Sequence, residues 1–286
     1  MNWRCFRITF ELLGPLHIGF YKVGSVQRTR HYIPARNLLA ASAEIFVRTG
    51  LFRCSYQDSL RWVQERLAFS YFFVDEGREL IPSYTDEGLK YGDLGKRCFE
   101  RRYISAHVTT AIEASVGSAE DGSLHEVEFI APHTLDNSHK PTRTRMSGYI
   151  FVRDDAWETM GDETALKNRL TELQVGGERR YGFGRLRLRP ADWTPSESIC
   201  GLSLTLDASR PRIKVAEGCC FLAHVPASGV QARGMIEPLV GRETQTDSRT
   251  YGRTLTRSGI CWVPGSICEG TATFDFSEEG IWKKAH

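Results

Sequence analysis

The eight cysteines of this 286-residue chain form no Cys-x-x-Cys pair, which excludes a zinc ribbon and a thioredoxin-type redox motif. Most stand between apolar residues and read as small buried hydrophobes. The eight histidines are scattered. Only His133 and His139 lie close together, with no cysteine or carboxylate grouping to compel a metal, so neither a metal nor any other cofactor is expected. No run approaches the ~20 consecutive apolar residues of a membrane span. Residues 1–10 carry Arg4 and Arg7 inside an alternating pattern and lack a signal-peptide core, so a cytoplasmic protein is expected. Lys and Arg number 37 against 35 Asp and Glu; the molecule is no polycation, and any nucleic-acid site has to be a local patch. Methionine is scarce, at 4, while 26 glycines suit a turn-rich protein of many strands. The 41% apolar and 25% charged fractions are those of a globular chain, and its length suggests two domains at ~150 residues each.

Periodicity organises the first two thirds. Residues 3–13 read as a strand with either a bulge or two covered faces, ended by Gly14-Pro15. Residues 35–47 carry a helical apolar face through Leu38, Leu39, Ala43, Ile45 and Phe46, with Pro34 fitting the first turn and Gly50 closing the end. A second amphipathic helix is predicted over 56–69 and a short strand over 71–74. Residues 75–98 look polar and irregular. Two strand-like runs, 103–116 and 124–130, form a predicted hairpin around a loop at 117–122, and 147–152 is a further strand. Leu166, Leu170 and Leu173 mark a helix over 162–173 with Asp162 as N-cap. The resulting succession is α+β: a β-α-β-β-α-β unit of the ferredoxin-like, RRM-like type over 1–190. Residues 195–286 read as a smaller β-rich unit, with strand candidates at 202–206, 219–225, 260–263 and 271–276.

Two clusters stand out. The first is Gly176-Gly177-Glu178-Arg179-Arg180-Tyr181-Gly182-Phe183-Gly184-Arg185, which leads into an alternation of Leu186 and Leu188 with Arg185, Arg187 and Arg189. No Gly-Lys-Ser/Thr triplet closes it, and it follows a helix and opens a strand, so it is neither a Walker loop nor a dinucleotide fingerprint. Its glycines allow close backbone approach to a phosphate, and its arginines offer guanidinium forks. The second cluster lies within residues 1–53, where eight basic residues face two acidic ones. Lys22, Arg28, Arg30 and Arg36 straddle one loop with His17, Tyr21, His31 and Tyr32. Arginines interleaved with rings match the demands of single-stranded RNA. Solvated basic loops are the plain structural reading of both clusters.

Leu16-His17-Ile18-Gly19, Tyr32-Ile33-Pro34-Ala35-Arg36 and above all the Gly176–Gly184 run resemble the RAMP superfamily of CRISPR-associated proteins, in order and spacing over residues 1–190; Trp262-Val263-Pro264-Gly265-Ser266 is similar to a stretch in some members. The resemblance implies a ferredoxin-like domain whose glycine-rich loop follows its second helix. It implies, further, the subunit that caps a guide RNA at its 5′ end in type III-like class 1 effectors. Such a subunit holds the repeat-derived 5′ handle, contacts the adjacent backbone subunit and does no catalytic work. RNA contact is thereby expected at His17, Lys22, Arg28, Arg30 and Arg36, and at Gly176, Gly177, Arg179, Arg180, Tyr181, Gly182, Phe183, Gly184 and Arg185. Pro34-Ala35-Arg36 departs from the proline-glycine-serine turn of many members.

Three other readings compete. A metal-independent repeat-processing endoribonuclease would use His17 or His31 as general acid or base, but in such enzymes the glycine-rich loop lies near the C-terminus. A guide-binding backbone subunit would cut target RNA through an acidic loop residue such as Asp86, Asp93 or Asp136. An α+β protein without RNA affinity is the fourth. The arginine- and threonine-rich stretch 242–257 reads as an RNA-contacting loop or a connector.

Overall fold

The computed structural model describes residues 2–110, 112–113, 115, 118–119, 124–135, 139–243 and 254–285. Asp136, most of the predicted loop 117–122 and residues 244–253 of the arginine- and threonine-rich stretch lie outside them. The fold is mixed α+β and rich in strands.

Its spine is β1 (Trp3–Leu12), which pairs antiparallel with strand Arg145–Arg153 over nine residues without a register shift. On its other side it pairs with strand Arg185–Leu188. The bulge is absent and both faces are covered: Phe6, Ile8, Phe10 and Leu12 are buried on one, Trp3, Cys5 and Thr9 on the other. After β1 come β2 (Gly19–Val23), β3 (Val26–Thr29) and β4 (Tyr32–Ile33). Then follow α1 (Ala35–Arg48), α2 (Tyr56–Arg66), β5 (Leu67–Phe69) and β6 (Phe72–Val74). Pro34 stands one residue earlier than expected, as the N-cap of α1, and Gly50 takes the left-handed conformation just past its end (φ 74°). Ser55 caps α2 by accepting from the Asp58 backbone N–H. That helix stops short of its predicted end because Leu67, Ala68 and Phe69 are all buried as a strand against Arg145–Arg153. Across the main sheet the order is Glu172–Gln174, Arg185–Leu188, β1, Arg145–Arg153, β6, β4.

Two expectations need correction. Residues 75–98 are not irregular: β7 (Pro82–Thr85), β8 (Gly88–Tyr91) and β9 (Leu94–Gly95) form a small sheet, and α3 (Lys96–Tyr103) follows. Strands of two to four residues leave no measurable alternation. The predicted hairpin exists, as β10 (Ile104–Thr109) paired with His125–Ile130, but it stands outside the main sheet. It joins β3 and β2 in a second sheet, with β3 running parallel to His125–Ile130. Alternation reveals a strand and not its partner.

Beyond Arg145–Arg153, α4 (Trp157–Met160) and α5 (Glu163–Arg169) return the chain to the sheet, with Asp162 capping α5 through the Ala165 N–H at 2.7 Å. Residues 195–286 are β-rich, with one five-stranded sheet and a long hairpin of Ile236–Glu243 with Thr254–Trp262. Of the predicted strand 219–225, Val225 pairs within a two-residue strand and Cys220 forms an isolated bridge with Ile267, while Phe221, Leu222 and Ala223 are buried without strand pairing. The apolar core runs unbroken from Trp3 to Trp282. Phe151 of the main sheet meets Phe276 at 4.6 Å, and Arg210 donates to the Gln64 carbonyl at 2.6 Å.

Candidate nucleic-acid interface

The glycine-rich segment is a loop clamped at both ends. The Gln174 amide donates to the carbonyls of Arg179 and Phe183 at 3.0 and 2.9 Å, and Val175 N–H donates to the Gly184 carbonyl at 2.9 Å. Against the loop lies the stretch 14–18: Gly177 N–H donates to the His17 carbonyl at 2.9 Å, and Gly184 N–H to the Pro15 carbonyl at 2.7 Å. A Cβ on Gly176 would overlap the His17 carbonyl, and one on Gly184 would overlap that of Val175. The close approach that these glycines permit is therefore to the chain's own backbone. Gly182, at φ 83°, alone of the three faces open space.

The cations of this loop differ in their freedom. Arg179 is held to α1 by a two-pronged pair with Glu44, at 2.6 and 2.8 Å. Arg185 shares Glu172 with Arg187, at 3.5 and 3.0 Å. Arg180 is exposed, and Tyr181 is 78% exposed. Phe183 is buried, its ring edge-on to Phe129 at 5.5 Å. Beside Arg179, a cleft of about 630 Å³ opens between α1 and the loop, lined by Glu44, Arg48, Tyr56 and Gly176 among others.

The second predicted cluster follows directly from stretch 14–18, as the β2–β3 hairpin. All of β2 is exposed; Lys22 projects from it, and Phe20 and Tyr21 meet edge-to-face at 4.4 Å. Among the described residues, Lys22 and Arg180 have no ion pair. Arg28 pairs with Glu128 at 2.8 Å. His17 is buried and its Nδ1–H donates to the Glu128 carbonyl at 2.6 Å. Arg36 packs over the Gly241 backbone, which leaves no room there for a side chain. The two clusters thus meet through residues 14–18, yet they open onto separate clefts.

Arg30 is drawn inside. It pairs with Glu237 at 2.6 Å, donates to the Tyr32 hydroxyl at 3.0 Å and lies over the Phe20 ring at 4.5 Å. Glu237 also accepts from His224 Nε2 at 2.8 Å, and His224 Nδ1 accepts from the Tyr71 hydroxyl at 2.7 Å. Burial alone would raise the Glu237 carboxyl, but the His224 hydrogen bond and the Arg30 charge hold it below its usual range. Burial likewise keeps His224 neutral, which fixes Nε2 as donor and Nδ1 as acceptor.

A further cleft, of about 160 Å³, has walls from β2–β3, β7–β8, α3 and segments 235–237 and 263–264. Tyr84, Tyr91, Lys96 and Glu237 line it. None carries a sequence signal, because four distant stretches assemble the cleft. The Trp262–Ser266 motif forms its back: Gly265 accepts from Tyr84 N–H at 3.0 Å and packs on Pro82.

The fold itself has solved counterparts. It is similar to a chain in the cryo-EM structure of the type III-B Cmr-beta complex bound to cognate target RNA, with a TM-score of 0.55 and 11% identity over 92% of this chain and 86% of that one. A chain of the same complex bound to cognate target RNA and AMPPnP matches at a TM-score of 0.54 and 11% identity, over the same shares. No protein-family model matches the sequence. No curated protein matches it either. At this identity the likeness establishes the fold class alone.

Proposed function

We propose that the protein is a non-catalytic RNA-binding subunit of a type III-like CRISPR effector ribonucleoprotein, one that holds the repeat-derived 5′ handle of the guide RNA and contacts the adjacent backbone subunit. Support comes first from the fold, which is shared with a chain of an effector bound to RNA. The succession of main-sheet strands adds to it. Within the eight-stranded main sheet, Arg185–Leu188, β1, Arg145–Arg153 and β6 lie side by side as fourth, first, third and second of these four along the chain, the order expected of a ferredoxin-like RAMP unit. The observation that carries the reading is the docking of stretch 14–18 onto the glycine-rich loop. It sets exposed Tyr21 and Lys22 of β2 and exposed Arg180 and Tyr181 of the glycine-rich loop on adjoining segments. Unpaired cations beside exposed rings suit a strand that offers phosphates and unstacked bases.

Fluorescence anisotropy with a labelled handle RNA across a salt series tests this. Binding is expected to weaken steeply as salt rises, and a Lys22→Glu/Arg180→Glu double variant is expected to lose about tenfold or more at low salt. Salt-insensitive binding, or a double variant that binds as tightly as the parent, contradicts the reading. Repeat RNA incubated with the protein in EDTA should stay intact; a defined cut lost in His31→Ala would instead make the protein an endoribonuclease.

A further inference from the structure

We propose that the cleft between β2–β3, β7–β8, α3 and segments 235–237 and 263–264 receives one unstacked nucleobase, and that it selects a base carrying an exocyclic amine. The inference rests on the RNA-binding reading and extends it to a site and a base preference that the exposed loops do not supply.

A lining carboxylate carries the argument. Glu237 is buried, and its Oε1 already accepts from Arg30 and His224, whereas its Oε2 is buried without a partner. Buried polar atoms are paired almost throughout native structures, and an ionised carboxylate accepts hydrogen bonds only. Glu237 lines the cleft, and an orphan acceptor on a lining carboxylate calls for an N–H donor. Adenine, cytosine and guanine supply one from an exocyclic amine, as in the pairing of carboxylates with cytosine N4, and guanine adds its N1–H. Uracil has no amine, and it flanks its single N–H with two carbonyls that a carboxylate repels.

The walls suit the same guest. Tyr84, Tyr91 and Tyr21 offer ring faces or edges, and a stacked base gains about 1–3 kcal/mol. Arg28, paired with Glu128 at 2.8 Å, and Lys96 also line the cleft. They are positioned for the phosphate that flanks the base. At about 160 Å³ the space falls below the ~300–1,000 Å³ of drug-sized pockets and suits one ring system. The Oε2 atom is sealed from solvent, so entry includes a side-chain shift. Met235, 47% exposed on the lining and tied to the Tyr84 hydroxyl at 3.4 Å, is flexible enough to make it.

The test compares oligoadenylate, oligocytidylate and oligouridylate RNA of equal length by anisotropy, with free AMP and CMP titrated by calorimetry. The A and C oligomers are expected to bind about tenfold more tightly than the U oligomer. Tyr84→Ala and Lys96→Glu should bring both down to the U level, and Glu237→Gln, with folding checked by circular dichroism, should erase the preference. Equal affinity of the parent for all three oligomers overturns the proposal. So does a Tyr84→Ala variant that keeps the preference. If either occurs while Lys22→Glu/Arg180→Glu still abolishes binding, the RNA-binding reading stands and only the cleft is lost. Conversely, AMP or CMP bound in a Tyr84-dependent way by a protein without RNA affinity keeps the cleft, assigns it to free nucleotides and ends the effector-subunit reading.

Discussion

His31 lies among rings, with Tyr91 and Phe99 each centred 5.3 Å away and its Nδ1 joined to the Tyr91 hydroxyl at 2.8 Å. Burial, then Lys96 and Arg28, disfavour its protonation and push its pKa down from 6.5 to about 4. The unfolded chain therefore takes up a proton near pH 6.5 that the folded chain refuses until about pH 4. Stability from this residue is complete above pH 6.5 and drains away as pH falls toward 4, by on the order of 3 kcal/mol. Buried neutral His224 acts in the same direction. Urea midpoints should fall across that window in the parent and fall less in His31→Asn. A parent profile flat from pH 7 to pH 4 would show that the imidazole protonates in place.

At the scale of the element, the glycine-rich loop separates two kinds of glycine. Gly184 has φ 74° and no room for a Cβ beside the Val175 carbonyl, whereas Gly182 has φ 83° and open space. Gly182→Ala should cost about 1 kcal/mol of left-handed backbone strain. Gly184→Ala should cost about 3 kcal/mol or more, because the clamp to Val175 must open. Equal losses in urea titrations would mean that the loop shifts freely. The same loop illustrates what can be read from sequence. The inward Leu186 and Leu188 against outward Arg185 and Arg187 follow from alternation and agree with the structure, but the loop does not follow the helix directly, because Glu172–Gln174 intervenes as a strand paired with Arg185–Leu188. That Gly176 and Gly184 serve the chain's own 14–18 stretch and Val175 was not legible, since a glycine signals close approach without naming what approaches. Arg30 was equally ambiguous: its partner Glu237 lies two hundred residues on, and no local pattern distinguishes an arginine bound inward from one facing solvent. α1 and the start of α5 were readable because caps and apolar spacing are local, whereas Leu173, read as helical, lies in the strand Glu172–Gln174. β7–β9 and the cleft they help build were not, because contact between distant stretches creates them.

For the whole molecule, the continuous core joins the segments on either side of residue 190. Phe276 lies against both Phe151 and Trp282, at 4.6 and 5.7 Å. Calorimetry should therefore record one unfolding transition, and Phe276→Ala should lower it as a unit, by about 3–5 kcal/mol. Two transitions with only one displaced would mean separately folding parts. The same architecture bears on how the chain is made. β1 emerges from the ribosome long before its partners, residues 145–153 and 185–188. Until residues 145–153 have been synthesised, a ten-residue ribbon that is greasy on both sides waits with both edges open, and one edge stays open until 185–188 follow, a hazard for nascent-chain association. Such delayed closure is expected to leave this strand in need of shielding during translation.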